Sequence, residues 1–214
     1  MKALAIALGL AYAAGLNLYA TVGLLGLAGR LGWLGPLPAN LLWLTDTWVI
    51  AIAWLLFLVE FVATVTPGVS TGWETFHSLV RPPAAAVIAA SVVWRDDAHM
   101  ILIAALFGGV LAVITHTAKL GLRYALDSSS APRAGILTNL AELALVSAVV
   151  LLVWQYPIPT LLVAIAILVG FVVVARVVLR VLRQVFTGHW MPGCGLLQEP
   201  RTGTAAVGPT EDED

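Results

Sequence analysis

Residues 47–65 read TWVIAIAWLLFLVEFVATV, an apolar run interrupted by one ionisable side chain, Glu60. A helix needs about 20 predominantly apolar residues to cross the hydrocarbon core of a bilayer. The run therefore reads as a transmembrane helix. Glu60 carries the second message, because an acid inside a span is costly and faces a cavity or a partner. The chain is to be read as a membrane bundle with a polar interior.

Similar stretches lie on both sides, at about residues 3–29, 99–120, 135–154 and 158–182. A shorter one runs from Pro82-Pro83 to Trp94. The segment Pro67–Arg81 is mixed, with Trp73, Glu74, Phe76 and His77, and reads as an interfacial or re-entrant piece that lends length to the short span. The expected fold is an all-α membrane protein, a bundle of about six transmembrane helices. Each half has a long glycine-containing helix, a glutamate-bearing helix and a third, a plan compatible with two inverted three-helix halves. Residues 1–184 form the polytopic membrane domain. Residues 185–214 read as a disordered polar tail, rich in Gly, Pro and Thr and ending in acid.

Composition agrees. Of the 214 residues 60% are hydrophobic and 11% charged, with a mean hydropathy of +0.96. Soluble domains carry about 25% charged residues. The net charge of −1 gives no reason to expect a nucleic-acid partner. The single cysteine, Cys194, excludes an intramolecular disulfide and a cysteine-rich metal site. Lys2 and the Ala11-Tyr12-Ala13 pattern imitate a signal peptide, but the apolar run continues to about Ala28, longer than a signal core of roughly 7–15 residues. It reads as an uncleaved first span.

Six crossings put both termini on one side. With the termini inside, Lys2, Arg81, Lys119, Arg123, Arg133, Arg176, Arg180 and Arg183 fall at cytoplasmic ends, against Arg30 and Arg95 outside. The positive-inside rule then places both termini in the cytoplasm. The expected location is a bacterial cytoplasmic (inner) membrane.

Polar residues in the spans mark the candidate sites. Asn17 sits mid-span, where an amide must find a partner. It either glues helices together or breaks the first helix and frees backbone groups for a site. Ala3, Ala7, Ala11 and Gly15 give that helix one small face, suited to close packing. Glu60, Asn139 and Glu142 are candidates for a polar path or proton coupling, or else form structural pairs. Arg81, His116, Lys119 and Arg123 share one predicted side. The last three lie at helical spacings of three and four. They read as a basic pocket for a phosphate or carboxylate, or as snorkelling side chains. Arg176, Arg180 and Arg183 form a basic stripe for anionic lipid head groups. Gly68-Val69-Ser70-Thr71-Gly72 matches the hydrolase nucleophile elbow, but that motif needs a preceding strand, and a membrane helix and Pro67 precede it here. No catalytic residue, metal site or cofactor is expected, and the chain is not read as an enzyme.

These residues together resemble a family of small bacterial integral-membrane proteins known as a domain of unknown function (4126). The matching positions are Gly15-Leu16-Asn17 with Tyr19-Ala20-Thr21, and Val59-Glu60-Phe61-Val62-Ala63. Trp73, His77, Arg81, Pro82 and Pro83 follow, then Thr115-His116 with Lys119 and Arg123, and Asn139 with Glu142. The resemblance implies a multi-span membrane protein with no assigned activity. The functional expectation is a transporter-like protein that binds or moves a small anionic solute or lipid head group. The alternative is a non-transporting scaffold or accessory subunit. A homodimer is compatible with so small a bundle.

Overall fold

The structure is a computed structural model. It describes residues 1–66, 69–127 and 134–186, and their side chains except at 71, 122–127, 134, 171, 174, 175, 178, 179 and 181–186. Among the described residues seven α-helices follow in order: α1 Lys2–Leu16, α2 Leu18–Arg30, α3 Thr47–Val65, α4 Val69–Val92, α5 Ala98–Asp127, α6 Ala134–Gln155 and α7 Pro157–Phe186. A short 3-10 helix, Ala39–Thr45, links α2 to α3. Met1–Leu179 forms one compact unit, and everything below concerns it unless stated. The described part of the second unit, Arg180–Asp214, is the end of α7. The tail expected from the sequence lies outside the described residues from 187 onward.

Among the described residues three helical stretches are long and apolar enough to cross a membrane: Thr47–Val65, Ala98–Gly121 and Gly135–Gln155. Lys2–Leu16 and Pro157–Gly170 are apolar but shorter. The outer surface agrees with a membrane setting. Along α3, Trp48, Ile52, Leu55, Leu58 and Val62 are all more than half exposed. A soluble monomer rarely leaves so continuous an apolar patch in water. The chain is a membrane-embedded protein.

Two expectations are corrected. The first span, read as one helix over residues 3–29, is two helices. Asn17 adopts an extended backbone (φ −147°, ψ 105°), and its Oδ1 accepts from Ala20 N at 2.9 Å to cap α2. Asparagine is a favoured N-cap because its short side chain replaces a missing helical acceptor. The second correction concerns Pro67–Arg81. From Val69 it belongs to one helix with the third apolar run, straight through Pro82 and Pro83. Prolines delete helical donors, yet membrane helices tolerate them where neighbouring groups compensate. Arg81 therefore stands inside α4, fully buried.

Small residues set the packing. The expected small face of α1 is buried from Ala7 through Gly15. A Cβ on Gly15 would lie 2.8 Å from Ala112 Cα, and one on Gly108 would lie 2.7 Å from Ala89 Cβ. Hence α1, α4 and α5 approach to backbone contact, as small residues allow in membranes. The common core adds Val146, Val149, Val150 and Val153 of α6, and Ala164 and Leu168 of α7. In the second half the counterpart of the broken first span, α5, is unbroken.

Candidate functional site

The break between α1 and α2 frees the carbonyl of Leu16. In a continuous helix it would accept from Ala20 N, which instead bonds Asn17 Oδ1. Lys119 Nζ of α5 takes the vacant place, donating to Leu16 O at 3.0 Å. Asn17 Nδ2 donates to Glu60 Oε1 of α3 at 3.1 Å. The single asparagine thus breaks a helix, caps the next one and binds the buried acid. Asn17 therefore both joins helices and breaks the first one.

Around that break the charges gather. Arg81 Nη2 pairs with Glu60 Oε1 at 2.5 Å, and Arg81 Nη1 with Glu74 Oε2 at 3.1 Å. Lys119 Nζ lies 2.8 Å from Glu142 Oε2, 3.4 Å from Glu60 Oε1 and 3.5 Å from Glu74 Oε1. Glu60, Glu74, Arg81 and Lys119 are all nearly sealed from the surface. Glu142 is partly open. It lines a cavity of about 190 Å³ with Leu16, Lys119, Leu137, Ala141 and Leu145. Taking such charges out of water is expensive, and the cost is offset only by close pairing and further hydrogen bonds.

Neutral groups complete the network. Arg81 Nη1 donates to His116 Nδ1 at 2.7 Å. Ser78 Oγ donates to Glu74 O, so at 2.8 Å it accepts from His116 Nε2. These directions assign His116 as the neutral Nε2–H tautomer, because an arginine can only donate. His77 Nδ1 donates to Trp73 O at 2.7 Å, leaving Nε2 to accept from Tyr19 OH at 2.9 Å. The Trp73 and His77 rings stack with centroids 4.5 Å apart. Asn139 Nδ2 bonds Thr64 Oγ1 at 2.9 Å, one turn of α3 from Glu60, and ties α6 to α3.

Of the residues proposed from sequence, Asn17, Glu60, Arg81, His116, Lys119 and Glu142 converge, with Asn139 one turn away. Arg81 and Lys119, read from the sequence as part of a basic pocket, are both engaged by carboxylates. The side chains of Arg123 and Arg183 lie outside the described residues. Arg176 and Arg180 are exposed on α7. The sequence reading left Glu74, His77, Ser78 and Tyr19 off the site. The signal was present, because 74, 77, 78 and 81 recur at helical spacing. Treating Pro82-Pro83 as a helix start hid it. Among the described residues no group of three or more His, Cys, Asp or Glu side chains is arranged to hold a metal ion.

A family model described as Domain of unknown function (DUF4126) matches residues 4–177, which include every described member of this network. No curated protein and no solved structure matches the chain.

Proposed function

This chain belongs to the DUF4126 family, and we propose that it is a membrane transport protein that binds or moves a small anionic solute or anionic lipid head group at its buried ion network. One observation carries the reading: a guanidinium and an ammonium from α4 and α5 meet three carboxylates at a broken helix. Discontinuous helices with freed backbone groups build binding sites in many transporters. Buried carboxylates there often exchange protons. Neutralising Glu60 or Glu142 would release Arg81 or Lys119 towards an anion, which couples charge movement to binding. In this reading α1 with α2 makes one crossing, and α3 to α7 make five more. Both termini then lie in the cytoplasm, in a bacterial inner membrane, and Arg176, Arg180 and Arg183 meet anionic head groups.

The second reading, a non-transporting scaffold, is favoured by one observation: Arg81 and Lys119 already have carboxylate partners. Electrometry on proteoliposomes separates the two. Inorganic phosphate and acetate are applied first, then a wider panel of small anions. Anion-evoked charge displacement in the wild type, lost in a folded Arg81→Lys variant, supports transport. Silence across the panel, or equal currents from both proteins, leaves the scaffold.

A further inference from the structure

A groove of about 520 Å³ opens between α2, α3, α4 and the 3-10 helix. That volume falls within the range of ligand sites, about 300–1,000 Å³. Its wall is almost wholly apolar, with Tyr19 and Ser91 bringing hydroxyls. One end is marked by Trp43, among the exposed tryptophans Trp33, Trp48 and Trp94 near the ends of α2, α3 and α4. Tryptophan favours the membrane–water interface, so this end is the outer rim of the bilayer.

The other end meets the ion network. Leu18 and Tyr19 line the groove and directly follow Asn17. Leu56 lines it one turn before Glu60, and Pro83 lines it two residues after Arg81. Three separate helices therefore run from groove wall into charge cluster at the same level. The Tyr19–His77 hydrogen bond stands at the junction.

The junction also holds unmatched polar atoms. Arg81 Nε, on α4, is a buried donor with no acceptor among the described residues. Glu60 Oε2 is a buried acceptor with no donor among the described residues. Buried polar groups are nearly always satisfied by protein, water or ligand. An arginine N–H is well matched to a phosphate oxygen, and a head-group hydroxyl would supply the donor that Glu60 lacks.

We propose that the groove takes the acyl chain of an anionic phospholipid, with its phosphate at Arg81 Nε and a head-group hydroxyl at Glu60 Oε2. The inference rests on reading the network as an anion site, and it names the substrate class. Arg81 and Glu60 are sealed behind the groove wall, so that wall has to open for the phosphate to reach Nε, although neither ion pair of Arg81 has to break.

The test uses the full-length protein in proteoliposomes with phosphatidylglycerol that carries a photoactivatable acyl chain. Phosphatidylcholine of the same chain is the comparison, and labelled peptides are mapped by mass spectrometry. The expected result is several-fold stronger labelling of the Leu56 and Val87 peptides by phosphatidylglycerol. Val87 is exposed on the groove, so Val87→Trp should fold normally and remove that labelling. Arg81→Lys keeps the charge, loses the Nε–H donor and should lower the preference between the two lipids. Equal labelling by both lipids, or labelling untouched by Val87→Trp, overturns the proposal. Anion-evoked currents without selective labelling would overturn the lipid and spare transport. Selective labelling without currents would do the reverse.

Discussion

Lys119 Nζ donates to the carbonyl of Leu16 at 3.0 Å, a bond between the middle of α5 and a helix break 103 residues earlier in the chain. The same ammonium touches Glu142 at 2.8 Å. It therefore satisfies a freed backbone oxygen and neutralises a carboxylate at once. Lys119→Met keeps the volume and deletes both roles. Breaking a buried pair by removing one partner costs about 3–5 kcal/mol. The variant should unfold in mild detergent at a clearly lower temperature than the wild type, and an unchanged melting temperature would show that the pair contributes no stability.

Arg81 and Glu60 should behave as one unit. Arg81→Met leaves Glu60 and Glu74 without their guanidinium, and Glu60→Gln leaves Arg81 one carboxylate short. Each single variant should be destabilised by several kcal/mol, about 3–5 for the arginine. The double variant should cost less than the sum, because residues in one network couple by roughly 0.5–3 kcal/mol. A double-mutant cycle on chemical denaturation reads this directly. Strict additivity would mean that the two side chains do not interact.

Asn17 separates capping from charge. Asn17→Ala removes the cap of α2 and the bond to Glu60, and loss of an N-cap costs about 0.5–2 kcal/mol. Asn17→Asp keeps the capping oxygen but sets a second carboxylate against Glu60 Oε1, where the amide nitrogen now sits at 3.1 Å. The aspartate should therefore be the less stable of the two at neutral pH, in thermal melts of the purified proteins. The opposite order would show that the cap outweighs the bond to Glu60.

The glycines make opposite predictions. On Gly15 a new Cβ would meet the Ala112 backbone at 2.8 Å, so Gly15→Ala must push α1 off α5. On Gly170 it would meet nothing within 4 Å. There the substitution gains helix propensity of up to about 1 kcal/mol. Melting temperatures should fall for Gly15→Ala and hold or rise for Gly170→Ala.

Much of this architecture is legible in the amino-acid sequence. The apolar runs, the small face of α1 and the mid-span polar residues are local features of the chain. Each follows from the helical period, the thickness of a bilayer and the cost of placing a polar group in hydrocarbon. Asn17, Glu60, Asn139 and Glu142 stand out because no lipid tail can satisfy them.

Their partners are not legible there, since pairing is set by which helix faces meet. Glu60 meets Arg81 across 21 residues, and Lys119 meets Leu16 across 103. The Pro82-Pro83 pair imitates a helix start, and only the packing of α4 along α5 and α1 carries the helix through it. That continuity places Arg81 in the core and brings Glu74 and His77 with it. The sequence by itself determined that charges lie buried in a membrane bundle. The tertiary structure decided that basic and acidic side chains neutralise one another at a broken helix, because burial forces each charge to the nearest opposite one that packing provides.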